Sequence, residues 1–340
     1  MKIFKYTVFL LLIVFIGAAI YIAVQPNYFE VQRSRTMNVP VSMIYENVID
    51  FKTWETWSSW IEEKPETQIT YAELSKGVGG SYSWIDDDGE GNMKTLSAAP
   101  YDSIVQELQF QDYEPSAVIW KFIPTDDGKT EVVWSMKGEK VPFMFKTIAA
   151  ISGGFDTMIG PDFERGLEKM DSILIESMKR YDIQVVGVTE YGGGFYLYKT
   201  TNATNANISQ KMAEQYGGIM QYVMQNQIAM NGMPFTIYHE MNNDEGNVVM
   251  SNGLPVSQKI EVSADSDILC GYQPKMKVLK TTLTGNYTNL QYAWEEAMKY
   301  VTEHNLEVSD EKPFEIYSND PGSFPNPADW RTDLFIPLKE

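Results

Sequence analysis

The chain has 340 residues, and its 27 Lys+Arg against 46 Asp+Glu leave a formal net charge of −19. That length predicts about two domains plus something small, and 44% hydrophobic residues with 13% aromatics are enough for packed cores, which excludes wholesale disorder. No basic stretch offers a footprint for phosphate backbones, so nucleic acid is not an expected partner. Cys270 stands alone, which excludes an internal disulfide framework and any cysteine-built zinc site. His239 and His304 are too few and too far apart for a metal cluster, and no cofactor is expected.

From Tyr6 to Val24 the chain is an uncharged run of about 19 residues, near the thickness of a bilayer core. Residues 1–27 are therefore expected to be one membrane span. Lys2 and Lys5 precede it, so the positive-inside bias leaves the amino terminus cytoplasmic and everything after Pro26 facing outward, periplasmic or extracellular. Arg33 and Arg35 work against that orientation, although large following domains translocate regardless of nearby charge. The rival reading is a cleaved signal peptide. Cleavage after Ala19 would strand an apolar IYIAV stub, and cleavage after Ala23 puts bulky Tyr21 where a small residue is wanted, so an uncleaved anchor is favoured.

Residues 28–181 are the first predicted domain. Phe29–Thr36 alternates like a strand, and a helix opening at Val39-Pro40-Val41-Ser42 carries Ile44, Tyr45 and Val48. The aromatic stretch from Asp50 to Trp60 follows. Six runs of strand character then lie between Thr67 and Met136, parted by turns such as Asp86-Asp87-Asp88-Gly89 and Thr125-Asp126-Asp127-Gly128. Phe155, Ile159, Phe163, Leu167, Met170 and Leu174 recur at helical spacing, marking a long amphipathic helix that ends near Tyr181. A meandering antiparallel sheet with one long closing helix is a helix-grip pattern with a cavity between sheet and helix.

This part resembles the SRPBCC (START-like, polyketide cyclase/dehydrase) superfamily. Phe29-Glu30-Val31, the Asp50-Phe51…Trp54…Trp57-Ser58-Ser59-Trp60 segment, Gly77-Val78-Gly79-Gly80 before Trp84, Val132-Val133-Trp134 and Gly160-Pro161-Asp162-Phe163-Glu164-Arg165-Gly166-Leu167 carry the likeness. The resemblance implies a cavity for apolar or amphipathic molecules and, in some members, enzymatic activity. Trp54, Trp57 and Trp60 stack on a ligand or, as aromatics more often do, simply fill the core. Asp162, Glu164 and Arg165 offer a carboxylate to the cavity or form the solvated face of their helix.

Residues 182–340 read as two strand–helix–strand–strand half-units. The first takes strands Gln184–Thr189 and Phe195–Thr200 around Gly192-Gly193-Gly194, a helix through Ile208, Met212, Tyr216, Ile219 and Val223, and strands near Pro234–His239 and Asn247–Val256. The second takes strand Lys277–Thr284, a helix through Leu290, Trp294, Ala297, Met298 and Val301, and strands Phe314–Ser318 and Asp333–Leu338. The tandem pattern suggests a duplication, with a groove between the two helices. Cys270 is expected in a loop. The fold class is thus α+β: an amino-terminal transmembrane helix, a helix-grip domain and a duplicated domain.

This second part resembles the GyrI-like small-molecule-binding domain, also seen as the effector-binding domain of AraC- and MerR-type regulators. Leu254-Pro255-Val256, Leu283-Thr284-Gly285-Asn286-Tyr287, the Trp294-Glu295-Glu296-Ala297 helix, Pro313-Phe314-Glu315-Ile316-Tyr317 with Asn319-Asp320-Pro321, and Thr332 to Leu338 carry the likeness. It implies that Glu315 lies on the floor of an aromatic pocket facing lipophilic cations. A carboxylate on an apolar strand, with no Lys or Arg within four residues on that strand, is costly to bury. A delocalised cation between Glu315 and the rings of Tyr287, Tyr317 and Trp330 satisfies it; otherwise Glu315 points to solvent or pairs with a distant lysine. Phe335 stands where the family often has a tyrosine, which removes one hydroxyl from the pocket.

The favoured reading is a membrane-anchored protein that captures or senses amphipathic or cationic compounds, more a binding module than an enzyme. One alternative is a hydrolase or cyclase using Glu315 and a tyrosine. Against it stands the lack of any nucleophile–base pair. The other alternative is a lipid handler using the helix-grip cavity.

Overall fold

The computed structural model describes every residue except 1, 126–127, 205, 243–245, 264 and 320–321. Asp126 and Asp127 of the predicted turn, and Asp320 and Pro321 of the family-like segment, lie outside the described residues. The chain divides into two units, Met1–Glu176 and Ser177–Glu340.

The first unit opens with α1 (Lys2–Ala23). Its residues Ile3–Ala23 have a mean hydropathy of 2.5 and none of that surface is buried. At about 33 Å this helix is long and apolar enough to cross a membrane. Strand β1 (Tyr28–Met37) follows, then α2 (Val41–Ile49), whose first turn is closed by the Pro40 carbonyl accepting from Met43 and Ile44. Asp50 ends that helix and caps the next turn by accepting from the Lys52 N–H at 3.1 Å. The aromatic stretch becomes two short helices, α3 (Trp54–Trp57) and α4 (Ser59–Glu63).

The six predicted strands form an antiparallel meander: β2 (Gln68–Tyr71), β3 (Ser81–Asp86), β4 (Gly89–Ala99), β5 (Ser103–Phe110), β6 (Ser116–Pro124) and β7 (Thr130–Glu139). β1 adds to the β7 edge, giving a seven-stranded sheet in the order β1-β7-β6-β5-β4-β3-β2. A helix absent from the sequence expectations, α5 (Phe143–Ser152), leads into α6 (Phe155–Met178). α6 buries Phe163, Leu167, Met170 and Leu174. Phe163 stacks on Trp134 at 4.0 Å, and Trp134 stacks in turn on Trp120 at 4.3 Å, its partner across β6 and β7.

The second unit carries β8 (Asp182–Tyr191), β9 (Gly194–Thr204), α7 (Ile208–Gln225), β10 (Phe235–Asn242), β11 (Asn247–Val256), β12 (Leu269–Gln273), β13 (Met276–Thr284), α8 (Leu290–Glu303), β14 (Phe314–Tyr317) and β15 (Arg331–Pro337). They make one eight-stranded sheet, β12-β9-β11-β10-β14-β15-β13-β8. β9-α7-β10-β11 and β13-α8-β14-β15 repeat the predicted strand–helix–strand–strand order, and they meet where β10 pairs β14.

Two assignments are corrected. The strand at Gln184–Thr189 belongs to the other half, because β8 pairs β13 and leaves the outer edge of β9 to β12. Gly192 and Gly193, both at positive φ, let the chain leave β8 for β9 on the far side of the sheet. Cys270 sits in β12 opposite Leu197, not in a loop, and its sulfur accepts from the Ile260 N–H.

Candidate functional site

Glu315 lies on β14, the short strand between β10 and β15. Strand alternation sends Phe314 and Ile316 to one face and Glu315 and Tyr317 to the other. Phe314 and Ile316 join an apolar cluster with Phe235, Ile237, Val278 and Phe335. The Glu315 face also receives α7 and α8, through Met212 and Trp294, which pack beside Tyr238.

Glu315 is 1% exposed. Its Oε2 accepts from the Tyr238 hydroxyl at 2.8 Å and the Tyr317 hydroxyl at 3.0 Å, and its Oε1 accepts from Trp294 Nε1 at 2.7 Å. Burial pushes the carboxyl above the ordinary glutamate range, and the three donors oppose that rise without cancelling it. Among the described residues no lysine or arginine compensates it. Burial, reinforced by the neighbouring carboxylate, holds the Tyr238 and Tyr317 hydroxyls well above their usual value, so both remain donors. Behind them a second polar layer continues. Thr236 donates to Asn252 Oδ1 at 2.7 Å and meets the Tyr216 hydroxyl at 2.9 Å, while Asn252 Nδ2 donates to Gln215 Oε1 at 2.6 Å.

Four of the residues singled out from the sequence come together here. Tyr317 and Tyr287 meet edge to face at 5.6 Å, and Tyr287 lies 4.7 Å from Trp330. The indole of Trp330 donates to the Phe324 carbonyl at 2.9 Å, which fixes the ring. Tyr216, Tyr238 and Trp294 complete the set, and sequence reasoning gave none of them a role. The available signal was that each carries a polar tip among apolar residues of its helix or strand, and a buried tip needs a partner.

Phe335 is corrected. It pairs with Phe314 across β14 and β15 and stacks on it at 4.8 Å, which puts it on the face away from Glu315. Leu334, directly opposite Glu315, is the residue of the last strand that lies beside it on the shared face.

Trp54 and Trp57 are corrected too. Each is 1% exposed, and their rings meet at 4.8 Å and turn edge-on to Trp120 and Trp134, so they are core. Trp60 alone of the three lines a cavity of about 440 Å³ bounded also by Phe29, Trp84, Phe110, Phe145 and Met158. Two glycines make room for its rings: a side chain at Gly91 would meet the Trp84 indole, and one at Gly138 the Phe29 ring. The charges of α6 are structural. Asp162 accepts from Trp60 Nε1 at 3.0 Å, Glu164 pairs with Arg33, and Arg165 pairs with Glu62 at 3.2 Å.

Residues 195–339 match the family described as the GyrI-like small molecule binding domain, so this stretch is such a domain. The match starts at β9 and leaves β8 outside. Among solved structures, the EcmrR C-terminal domain aligns at 18% identity with a TM-score of 0.41, over 47% of this chain and 98% of that one. EcmrR in a complex with DNA, EcmrR-RPo, aligns at 17% with a TM-score of 0.41, over 58% and 72%. Protein CV1439 from Chromobacterium violaceum aligns at 14% with a TM-score of 0.32, over 42% and 95%. No curated protein matches the chain.

Proposed function

We propose that this is a membrane-anchored small-molecule-binding protein whose GyrI-like domain captures or senses lipophilic cations at Glu315. The observation that carries the reading is a carboxylate buried among aromatic rings with three neutral donors and, among the described residues, no compensating cation. Such a group favours any delocalised cation able to reach it, because the cation offsets the desolvation that burial imposes and presents its faces to the rings of Tyr287, Tyr317 and Trp330. Glu315 is enclosed by its neighbours, so a cation reaches it only if the side chains around the carboxylate rearrange. Residues 1–27 serve as the anchor, with the amino terminus cytoplasmic and residues 28–181 and 182–340 as two outward-facing domains.

The cavity of about 440 Å³ in the first unit supports a second, compatible reading. The aromatic and aliphatic part of its lining suits the apolar part of an amphiphile, and charged residues such as Lys64, Asp86 and Glu114 line it as well, in keeping with the SRPBCC resemblance of residues 28–181.

The test is calorimetric titration of the full chain in detergent micelles with tetraphenylphosphonium, beside Tyr287→Ala/Trp330→Ala. One saturable site that weakens in the double variant is expected. Absent binding, or binding indifferent to both rings, would contradict the reading.

A further inference from the structure

Helix α5 has inverted polarity. Its one ionisable side chain, Lys146, is 6% exposed and donates through Nζ to the Gln25 carbonyl at 2.8 Å and to Asn27 Oδ1. Outward instead stand Phe143 (53% exposed), Met144 (52%), Ile148 (41%) and Ile151 (82%). Residues three and four apart share a helix face, so these four make one apolar stripe. A helix facing water carries the reverse arrangement, and a contiguous exposed apolar patch marks a contact surface.

The surroundings of α5 say what covers it. Gln25 and Asn27, which Lys146 grips, belong to the short link between α1 and β1, and the Val141 N–H holds the same link by donating to the Asn27 carbonyl at 3.0 Å. α5 also packs against α1 itself. α5 is therefore held beside the end of a helix that is unburied and long and apolar enough to cross a bilayer.

We propose that α5 lies in the interface of the bilayer that α1 spans, with the stripe from Phe143 to Ile151 sunk at the headgroup boundary. This rests on the reading of α1 as an anchor. The other face of α5 turns inward: Phe145 lines the cavity of the first unit, 4.9 Å from the ring of Tyr113. The wall of that cavity formed by α5 is then the one against lipid, and the ligand class that fits this placement is an amphiphile dissolved in the membrane.

The test uses the full chain in phosphatidylcholine vesicles, in a Cys270→Ser background. Single cysteines carry a fluorophore at Ile151, at Leu12 within α1, or at Asp102 in the β4–β5 turn. Asp102 is held near Phe122, at the end of β6 away from α5. Lipids bearing a nitroxide on the acyl chain are the quencher. Strong quenching at 12 and 151 with none at 102 is expected, and Ile148→Asp should abolish quenching at 151 while leaving that at 12. Quenching at 12 with none at 151 overturns the proposal and leaves the anchor standing. No quenching at 12 removes the anchor and the proposal with it. A label at 151 shielded from aqueous iodide yet untouched by lipid nitroxide means that protein, such as a second copy, covers the stripe, and also overturns the proposal.

Discussion

Replacing Glu315 by Gln keeps the side-chain volume and one carbonyl acceptor while removing the charge. In the native protein the carboxyl group takes three hydrogen bonds, from Tyr238, Tyr317 and Trp294, and a cation bound at the proposed site would add a desolvated attraction to its ionised form. Losing that attraction, with the neighbouring rings left in place, should weaken lipophilic-cation binding by about 1–3 kcal/mol, roughly fivefold to 150-fold. The pH dependence gives a second signature. Because burial raises the folded carboxyl above its unfolded value, this group's contribution to stability is fully present below the unfolded pKa. It is lost as pH rises through the folded one. Cation binding runs the other way, since it needs the ionised form and weakens as pH falls through the raised value. Calorimetric titration and thermal denaturation between pH 5 and 8, for the native chain and Glu315→Gln, read both slopes. Equal affinities together with flat, parallel profiles would refute the reasoning.

Asp333 is the counter-case: burial opposes its ionisation, but Thr282, Lys280 and Ser318 together hold it below the ordinary range. Its stabilising contribution is present above the unfolded pKa and lost as pH falls through the folded one, so Asp333→Asn should cost about 1–3 kcal/mol at neutral pH in chemical denaturation and flatten the acid limb. Trp54→Phe should cost about 1 kcal/mol more than Trp57→Phe, because Trp54 Nε1 donates to the Val48 carbonyl at 3.0 Å whereas the Trp57 indole N–H has no partner among the described residues. Urea unfolding measures that difference, and neither change should alter cation binding. Gly91→Ala should drive the Trp84 indole from its place, since the new methyl also sits 2.8 Å from the Gln109 carbonyl. Weaker uptake of a fluorescent fatty-acid probe by the first unit, with tetraphenylphosphonium binding unchanged, is the expected result.

What the sequence made legible follows the range of the interactions concerned. Alternation along residues 314–317 is local, and it correctly put Glu315 and Tyr317 on one face opposite Phe314 and Ile316. The donors Tyr238 and Trp294 come from β10 and α8, and only the pairing of β10 with β14 and the packing of α8 on the sheet bring them to the carboxylate. Phe335 failed for a related reason. A one-residue change of register exchanges the two faces of a strand, and the register of β15 is set by partners on β13 and β14 that local pattern does not fix. The meander of the first unit was readable because Asp- and Gly-rich turns punctuate it. α5 was not, because a short apolar segment whose single lysine turns inward has no amphipathic period to detect. The aromatic segment was visible as a cluster, but which indole reaches a cavity depends on α3 turning Trp54 and Trp57 onto Trp120 and Trp134 and on α4 leaving Trp60 in the cavity wall.

The most direct measurement of the central claim is charge selectivity at the Glu315 site: equilibrium dialysis of the full chain in micelles against tetraphenylphosphonium and against neutral triphenylphosphine oxide. Saturable binding of the cation, with the neutral compound at least about tenfold weaker, is the expected result. Equal retention of both, or of neither, would contradict a cation site built on a buried carboxylate.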